Sequence, residues 1–190
     1  MRNELVEFLV EEPSMKNFLN VILPKILPEG YHLNNNCFIR DHQGKTHLQK
    51  EIPIKVRAYQ FYSVPVKVII IHDQHSSECK ELKITLEELV NINSNLPFLV
   101  RIVCRELEAW YLGDMEAIEK AYPNFKASRY KKWAKFRNPD LCNAAYEIKQ
   151  LIPNFQKGMA SKEISKHLNL DHNKSKSFNI FISGIKKFLN

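Results

Sequence analysis

The chain is predicted to be an α/β protein: a mostly parallel sheet of about four strands flanked by helices, followed by a helical carboxy-terminal extension. Three observations predict it. Short apolar runs rich in strand formers alternate with segments of helical periodicity over residues 1–121. One of those runs, residues 66–71, is β-branched and almost unbroken, as in a strand covered on both faces. Beyond Pro123 the strand signals stop while helical spacing continues. Strands joined by helical crossovers lie parallel, and such crossovers are right-handed.

Residues 5–10 form the first strand, ended by Glu11-Glu12-Pro13, and Ser14 is placed to cap a helix whose apolar residues Met15, Phe18, Leu19, Ile22 and Leu23 share a face. Residues 37–40 form a second strand. After the Gly44-Lys45 turn, Leu48, Ile52, Val56 and Tyr59 fall on one helical face, with a kink expected at Pro53. The third strand, 66–71, precedes the stripe Cys79, Leu82, Leu86, Leu89 and Val90. A fourth strand, 98–103, leads into a helix over 106–112, which Gly113 stops, and Asp114 caps a short helix reaching Ala121. Further on, 142–152 and 161–168 read as helices. Phe178, Phe181, Ile182, Ile185, Phe188 and Leu189 make the last one amphipathic, with Ser177 as its cap.

A length of 190 residues suits one well-buried core, so residues 1–190 are read as a single domain, with a core over 1–121 and a basic helical extension over 122–190 packed on it. A hydrophobic share of 44% and a charged share of 26% exclude disordered and collagen-like classes. The longest mostly apolar stretch, 64–71, is far shorter than the roughly 18 residues of a membrane helix. The amino terminus lacks the cleavage pattern of a signal peptide, so the expected location is cytoplasmic and no membrane partner is expected. Cys37, Cys79, Cys104 and Cys142 are widely spaced, without a Cys-x-x-Cys pair, and read as free thiols.

Charge divides the chain. Residues 1–114 hold 13 basic and 15 acidic side chains, a balance of −2, whereas 115–190 hold 15 and 6, a balance of +9. A field of that sign attracts polyanions, nucleic acid foremost and an acidic protein surface next; a solvated lysine-rich face is the plainer explanation.

In an open parallel sheet, ligands bind beyond the carboxyl ends of the strands. Here those ends are acidic three times: Glu11-Glu12, His72-Asp73-Gln74-His75, and Arg105-Glu106-Leu107-Glu108. Carboxylates gathered from separate strands suit hard divalent cations that also bind phosphate oxygens. Glu11 and Asp73 each follow a strong strand and are read as functional together. Glu12 and Glu108 taken singly are read as soluble loop residues or helix-terminal charges.

The residues Val10-Glu11-Glu12-Pro13-Ser14, His42-Gln43-Gly44-Lys45, Asp73-Gln74-His75 with Cys79, Arg105-Glu106-Leu107-Glu108-Ala109-Trp110 and Ser175-Lys176-Ser177-Phe178 resemble, in order and spacing over almost the whole chain, the TOPRIM-like family known as domain of unknown function 4276. The resemblance implies a TOPRIM-like (Rossmann-like) fold, shared with topoisomerase and primase modules and with the overcoming-lysogenization-defect nucleases. It also implies Mg²⁺ or Mn²⁺ as cofactor and, in bacterial relatives, action in phage defence beside an ABC- or SMC-type ATPase. By the same resemblance Glu11 is metal ligand or general acid/base, and Asp73 is the first Asp of an Asp-x-Asp pair. Two positions depart from that pattern: Glu12 stands for a Gly, and His75 for the second Asp. A histidine ligates Mn²⁺ or moves a proton and is a poor Mg²⁺ ligand.

Glu106 and Glu108, two apart on a helix, do not share a face, so one of them is expected in the acidic pocket, and Glu106 is favoured as the nearer to the strand end. Trp110 reads as a core anchor. Lys45, in a turn, is a candidate phosphate neutraliser as well as an ordinary exposed lysine. Between Lys120 and Arg137 no acidic residue occurs, while Lys126, Arg129, Lys131, Lys132, Lys135 and Arg137 interleave with Phe125, Tyr130, Trp133 and Phe136. That mixture suits a nucleic-acid surface, DNA or RNA, although rings spaced by three also suit burial.

The leading expectation is a divalent-metal-dependent nuclease or nuclease subunit using Glu11, Asp73, His75 and Glu106. The runner-up is a catalytically degenerate module that binds nucleic acid or an ATPase. A third reading is a small-phosphoester hydrolase, which would not need the basic surface.

Overall fold

The computed structural model describes residues 2–190. Four strands, β1 (Leu5–Val10), β2 (Cys37–Asp41), β3 (Val66–Asp73) and β4 (Phe98–Val103), form one all-parallel sheet in the order β2-β1-β3-β4. The crossovers are α1 (Pro13–Ile26), α2 (Lys45–Tyr59) and α3 (Cys79–Asn91). β3 is longer than its apolar run: it carries on through His72 and Asp73, which pair with Ile102 and Val103 of β4. The one carboxylate of the strand, Asp73, is therefore held in the sheet itself.

Alternation along the strands separates two cores. Val6, Phe8, Val10, Ile69, Ile71 and Val103 face α1 and the later helices. Leu9, Val66, Val68, Ile70 and Val100 face α2 and α3, meeting Leu48, Ile52, Val56, Leu82, Leu86 and Val90. Glu7 lies buried on this second face, where the Arg40 guanidinium pairs with both its oxygens at 2.8 and 3.0 Å and the Tyr59 hydroxyl donates at 3.3 Å. A buried carboxylate persists only with such partners.

After β4 the chain forms α4 (Glu108–Leu112), α5 (Met115–Ala121), α6 (Ala127–Tyr130), two 3₁₀ turns (Ala134–Phe136 and Pro139–Leu141), α7 (Ala144–Leu151), α8 (Lys157–Ser165) and α9 (Lys176–Leu189). These helices share one core with α1: Trp110 stacks on Phe181 at 4.9 Å and meets Phe18 at 5.1 Å and Phe178 at 5.5 Å. Trp110 is fully buried, and its indole N–H donates to Ser177 Oγ at 2.8 Å.

Three local expectations change. Ser14 does not cap α1: Pro13 opens the helix after an extended Glu12, and Ser14 is already inside it, donating to Glu12 Oε2 at 3.2 Å. Proline at the first helical position is pre-set for the turn, so the start shifts two residues back. Ser175, not Ser177, caps α9, accepting from Phe178 N at 3.1 Å, because Ser177 is occupied by Trp110 and Asp140. The helix expected over 106–112 begins only at Glu108. α2 runs from Lys45 to Tyr59 with Pro53 inside it, held to the sheet by its buried stripe.

Candidate metal centre at the carboxyl edge of the sheet

Glu11 follows β1 and Asp73 ends β3, the two central strands, so their Cα atoms lie on adjacent strands at the same edge. His75 joins them from the loop after β3. One ligand atom each of Glu11, Asp73 and His75 lies within 4.8 Å of the others, the one such grouping of metal-ligating side chains among the described residues. Glu11 and Asp73 are buried and His75 is partly exposed.

The cluster is built by hydrogen bonds from residues that flank it. His75 Nε2 donates to Glu11 Oε1 at 2.8 Å. The other carboxylate oxygen of Glu11, Oε2, lies 3.4 Å from the Asp73 backbone N and 3.4 Å from His72 Nδ1. His72 is fully buried in β3; its Nδ1 lies 2.6 Å from the Asp73 carbonyl, which can only accept, so Nδ1 carries the proton. Nε2 is then the bare nitrogen of the neutral ring and accepts from Gln49 Nε2 at 3.1 Å. Burial pushes the His72 imidazole below its ordinary range, which favours that neutral form. Gly44 N binds the Glu11 carbonyl at 3.0 Å, tying the start of α2, and with it the exposed Lys45, to the same edge. Gly44 has φ +88°, a turn that glycine takes without steric cost.

Burial, and then the charge of Glu11, drive the Asp73 carboxyl well above the usual carboxylate range. A further acid lies behind it. Glu108 has 1% of its surface exposed, burial raises its carboxyl, and its Oε2 has no hydrogen-bond partner. Counter-charge comes from Lys157, the first residue of α8. Its ammonium bonds Glu12 Oε2 at 2.6 Å, and although burial opposes its charge, Glu108, Glu12 and Asp73 hold it far above the ordinary lysine range. Burial also opposes the charge of Glu12, but the bond and charge of Lys157 outweigh it and keep that carboxyl low. α8 is held in register on α1 at both ends: Asn17 Nδ2 donates to Gly158 O at 3.1 Å, and Lys25 Nζ to Lys166 O at 3.1 Å.

Glu106 lies outside the cluster. Its Oε1 accepts from Ala145 N at 3.2 Å in the first turn of α7, and it lines a neighbouring cleft with His75. The acid of this motif that approaches Asp73 is Glu108, because α4 starts two residues later than its sequence suggests and Glu108 begins the helix pointing inward. Lys157 and His72 are the residues that the sequence reading missed. Lys157 carries no local signal, being one lysine among many in a basic segment. His72 is marked only by its place directly after the apolar run 66–71.

The basic segment is partly neutralised. Lys126 pairs with Glu119 at 3.3 Å, Lys131 with Glu116 at 3.0 Å and Lys135 with Glu147 at 2.6 Å, while Arg129, Lys132 and Arg137 form no ion pair among the described residues. Phe125 and Phe136 are buried; Tyr130 stacks on Phe125 at 5.2 Å, and Trp133, 45% exposed, lies parallel to Phe136 at 6.2 Å. The rings thus form a ladder whose inner members belong to the core and whose outer member, Trp133, faces solvent.

Two carboxylates and an imidazole within 4.8 Å, in a pocket of excess buried acid, fit a hard or borderline divalent cation such as Mn²⁺ or Mg²⁺. No helix is long and apolar enough to cross a membrane. The chain matches no curated protein and no solved structure. The family model described as a domain of unknown function, DUF4276, matches residues 10–186, and the chain belongs to that family.

Proposed function

We propose that this protein is a divalent-metal-dependent phosphodiesterase acting on nucleic acid, a nuclease or the nuclease subunit of a larger assembly. The convergence of Glu11, Asp73 and His75 at the carboxyl edge of a parallel sheet carries the reading. When bound there, Mg²⁺ or Mn²⁺ supplies Lewis acidity toward a phosphoryl oxygen and lowers the pKa of a water. The chain's own residues do the rest. Glu11 and Asp73 would hold the cation, with His75 as third ligand or as the group that moves a proton. The Asp73 backbone N–H holds the Oε2 side of the Glu11 carboxylate, and Gln49 holds the neutral His72 beside it. Lys45, Arg129, Lys132 and Arg137, all exposed, would hold the polyanion.

One observation favours a second reading, a binding module without catalysis of its own. Lys157 already brings a positive charge to Glu12, Glu108 and Asp73, the work a cation would do. In that reading the basic face docks nucleic acid or an ATPase of the ABC or SMC type.

Calorimetric titration with Mn²⁺ and a cleavage assay separate the two. Glu11→Gln and Asp73→Asn are expected to abolish Mn²⁺ binding and at least hundredfold of any cleavage while leaving the unfolding temperature unchanged. Cleavage that survives both substitutions sinks the nuclease reading. Charge reversal at Arg129 and Lys132 that removes strand binding, in a protein whose carboxylate variants bind normally and cleave nothing, establishes the second.

A further inference from the structure

Beyond β4 the chain turns through Arg105, whose φ of +61° lies in the left-handed region, and across from it His75 has φ +52°. The two turns brace each other: His75 N donates to Arg105 O at 3.0 Å and Arg105 N to Gln74 Oε1 at 3.1 Å. Left-handed backbone is strained for any residue with a side chain, and glycine takes it freely. For His75 the strain brings its ring to Glu11. The Arg105 side chain makes no hydrogen bond and no ion pair among the described residues, and the residue is exposed. What its turn provides is direction. With His75, Ser76, Glu106, Leu141 and Asn143, Arg105 lines a cleft of about 380 Å³.

The cleft opens beside the candidate metal centre, since His75 belongs to both. Glu106, the one carboxylate lining it, already accepts from the first turn of α7. Asn143 is likewise engaged as the cap of α7, accepting from Tyr146 N at 3.4 Å. Of the two opposite charges lining the cleft, the Glu106 carboxylate accepts a backbone N–H, whereas the guanidinium has no hydrogen bond among the described residues. It is a planar fork of donors that never loses its proton in the working pH range, suited to two oxygens of one phosphate.

We propose that Arg105 binds the phosphate of the nucleic-acid strand adjoining the one presented to Glu11, Asp73 and His75, and so sets the register of the strand over the cluster. This deepens the phosphodiesterase reading and rests on it for the identity of the strand. Glycine would relieve the turn at residue 105 but would leave the cleft without a cation.

The test is fluorescence-anisotropy binding of a short labelled single-stranded oligonucleotide over a series of KCl concentrations, in Ca²⁺ and again in EDTA. Arg105→Gly is expected to bind about tenfold more weakly, with the slope of log K against log salt reduced by roughly 0.7, one phosphate contact on a single strand. Its unfolding temperature should not fall, because glycine suits the left-handed turn. Arg105→Lys should keep the salt slope and lose part of the affinity. Native affinity and slope in Arg105→Gly overturn the proposal, as does a native protein that binds the strand in neither buffer. Weaker binding with an unchanged slope and a lower unfolding temperature marks a structural role and overturns it too. A deoxynucleoside monophosphate bound as tightly as the oligonucleotide reassigns the subsite to small phosphoesters. Absence of Mn²⁺ binding to the native protein sinks the metal reading and leaves the salt slope standing, so the two failures are distinct.

Discussion

Lys157 is the residue on which the acidic pocket depends. It faces three carboxylates, of which Glu108 has an oxygen with no partner. Removing one partner of such a group leaves buried charge uncompensated. With a third of the lysine side chain exposed, solvent screening reduces the loss. Lys157→Met is expected to cost about 2 kcal/mol at neutral pH in urea denaturation. Adding Glu108→Gln should recover part of that, a coupling that a double-mutant cycle reads directly. Cys37 behaves differently. Fully buried, its thiol is pushed up to about 12 by desolvation, against an unfolded value of about 8.5. The folded state therefore keeps a proton that the unfolded chain gives up. Stability is unaffected below that unfolded value and falls as pH rises from there toward the folded one, by at most about 1.4 kcal/mol per pH unit. Denaturation followed between pH 8 and 10 should show this slope, and Cys37→Ala should reduce it, the remainder coming from Cys104 and Cys142, whose thiols burial also raises.

Among the elements, the first turn of α9 is fastened by one carboxylate in addition to its packing on the core. Asp140, in a 3₁₀ turn, accepts from Ser175 Oγ at 2.6 Å, Ser177 N at 2.9 Å and Ser177 Oγ at 3.2 Å. The same two serines cap α9 and bind Trp110. Asp140→Ala strands these donors in the interior and is expected to cost about 3 kcal/mol, lowering the unfolding temperature by roughly 6–12 °C for a chain of this size. A fall of under 2 °C in a thermal melt would mean that water replaces the carboxylate. α4 shows the opposite dependence on chain position. Its start at Glu108 decides which of two acids approaches Asp73, and that start is set by packing of Leu107, Ala109 and Trp110 in the core rather than by any capping residue.

For the whole molecule, the helices after residue 121 are not an appendage. Phe178, Phe181, Ile182 and Ile185 cover the face of the sheet formed by Phe8, Ile69 and Val103, and α8 delivers Lys157 to the site. A chain cut after residue 121 would expose the part of that core which α9 and α8 cover, so it should lose its near-ultraviolet circular dichroism and bind hydrophobic dyes. A fragment that keeps both the signal and a cooperative melt would show that the first 121 residues fold alone. The +9 balance of the second part already subtracts Glu116, Glu119 and Glu147, the acids that Lys126, Lys131 and Lys135 pair with, so the surplus rests on other cations, Arg129, Lys132 and Arg137 among them.

What the sequence determined by itself was the sheet. Short apolar runs rich in strand formers place β1 and β4 to the residue, because such a run is a property of a few neighbouring residues. The acids at strand ends were legible for the same reason: Glu11 and Asp73 stand where apolar runs stop. Tertiary structure alone decided which side chains share the pocket. Strand order puts β1 beside β3, the docking of α8 on α1 brings Lys157 across 145 residues to Glu12, and the late start of α4 selects Glu108 over Glu106. Those outcomes depend on which surfaces bury each other, a property of pairs of elements distant in the chain, and no window of neighbouring residues encodes it.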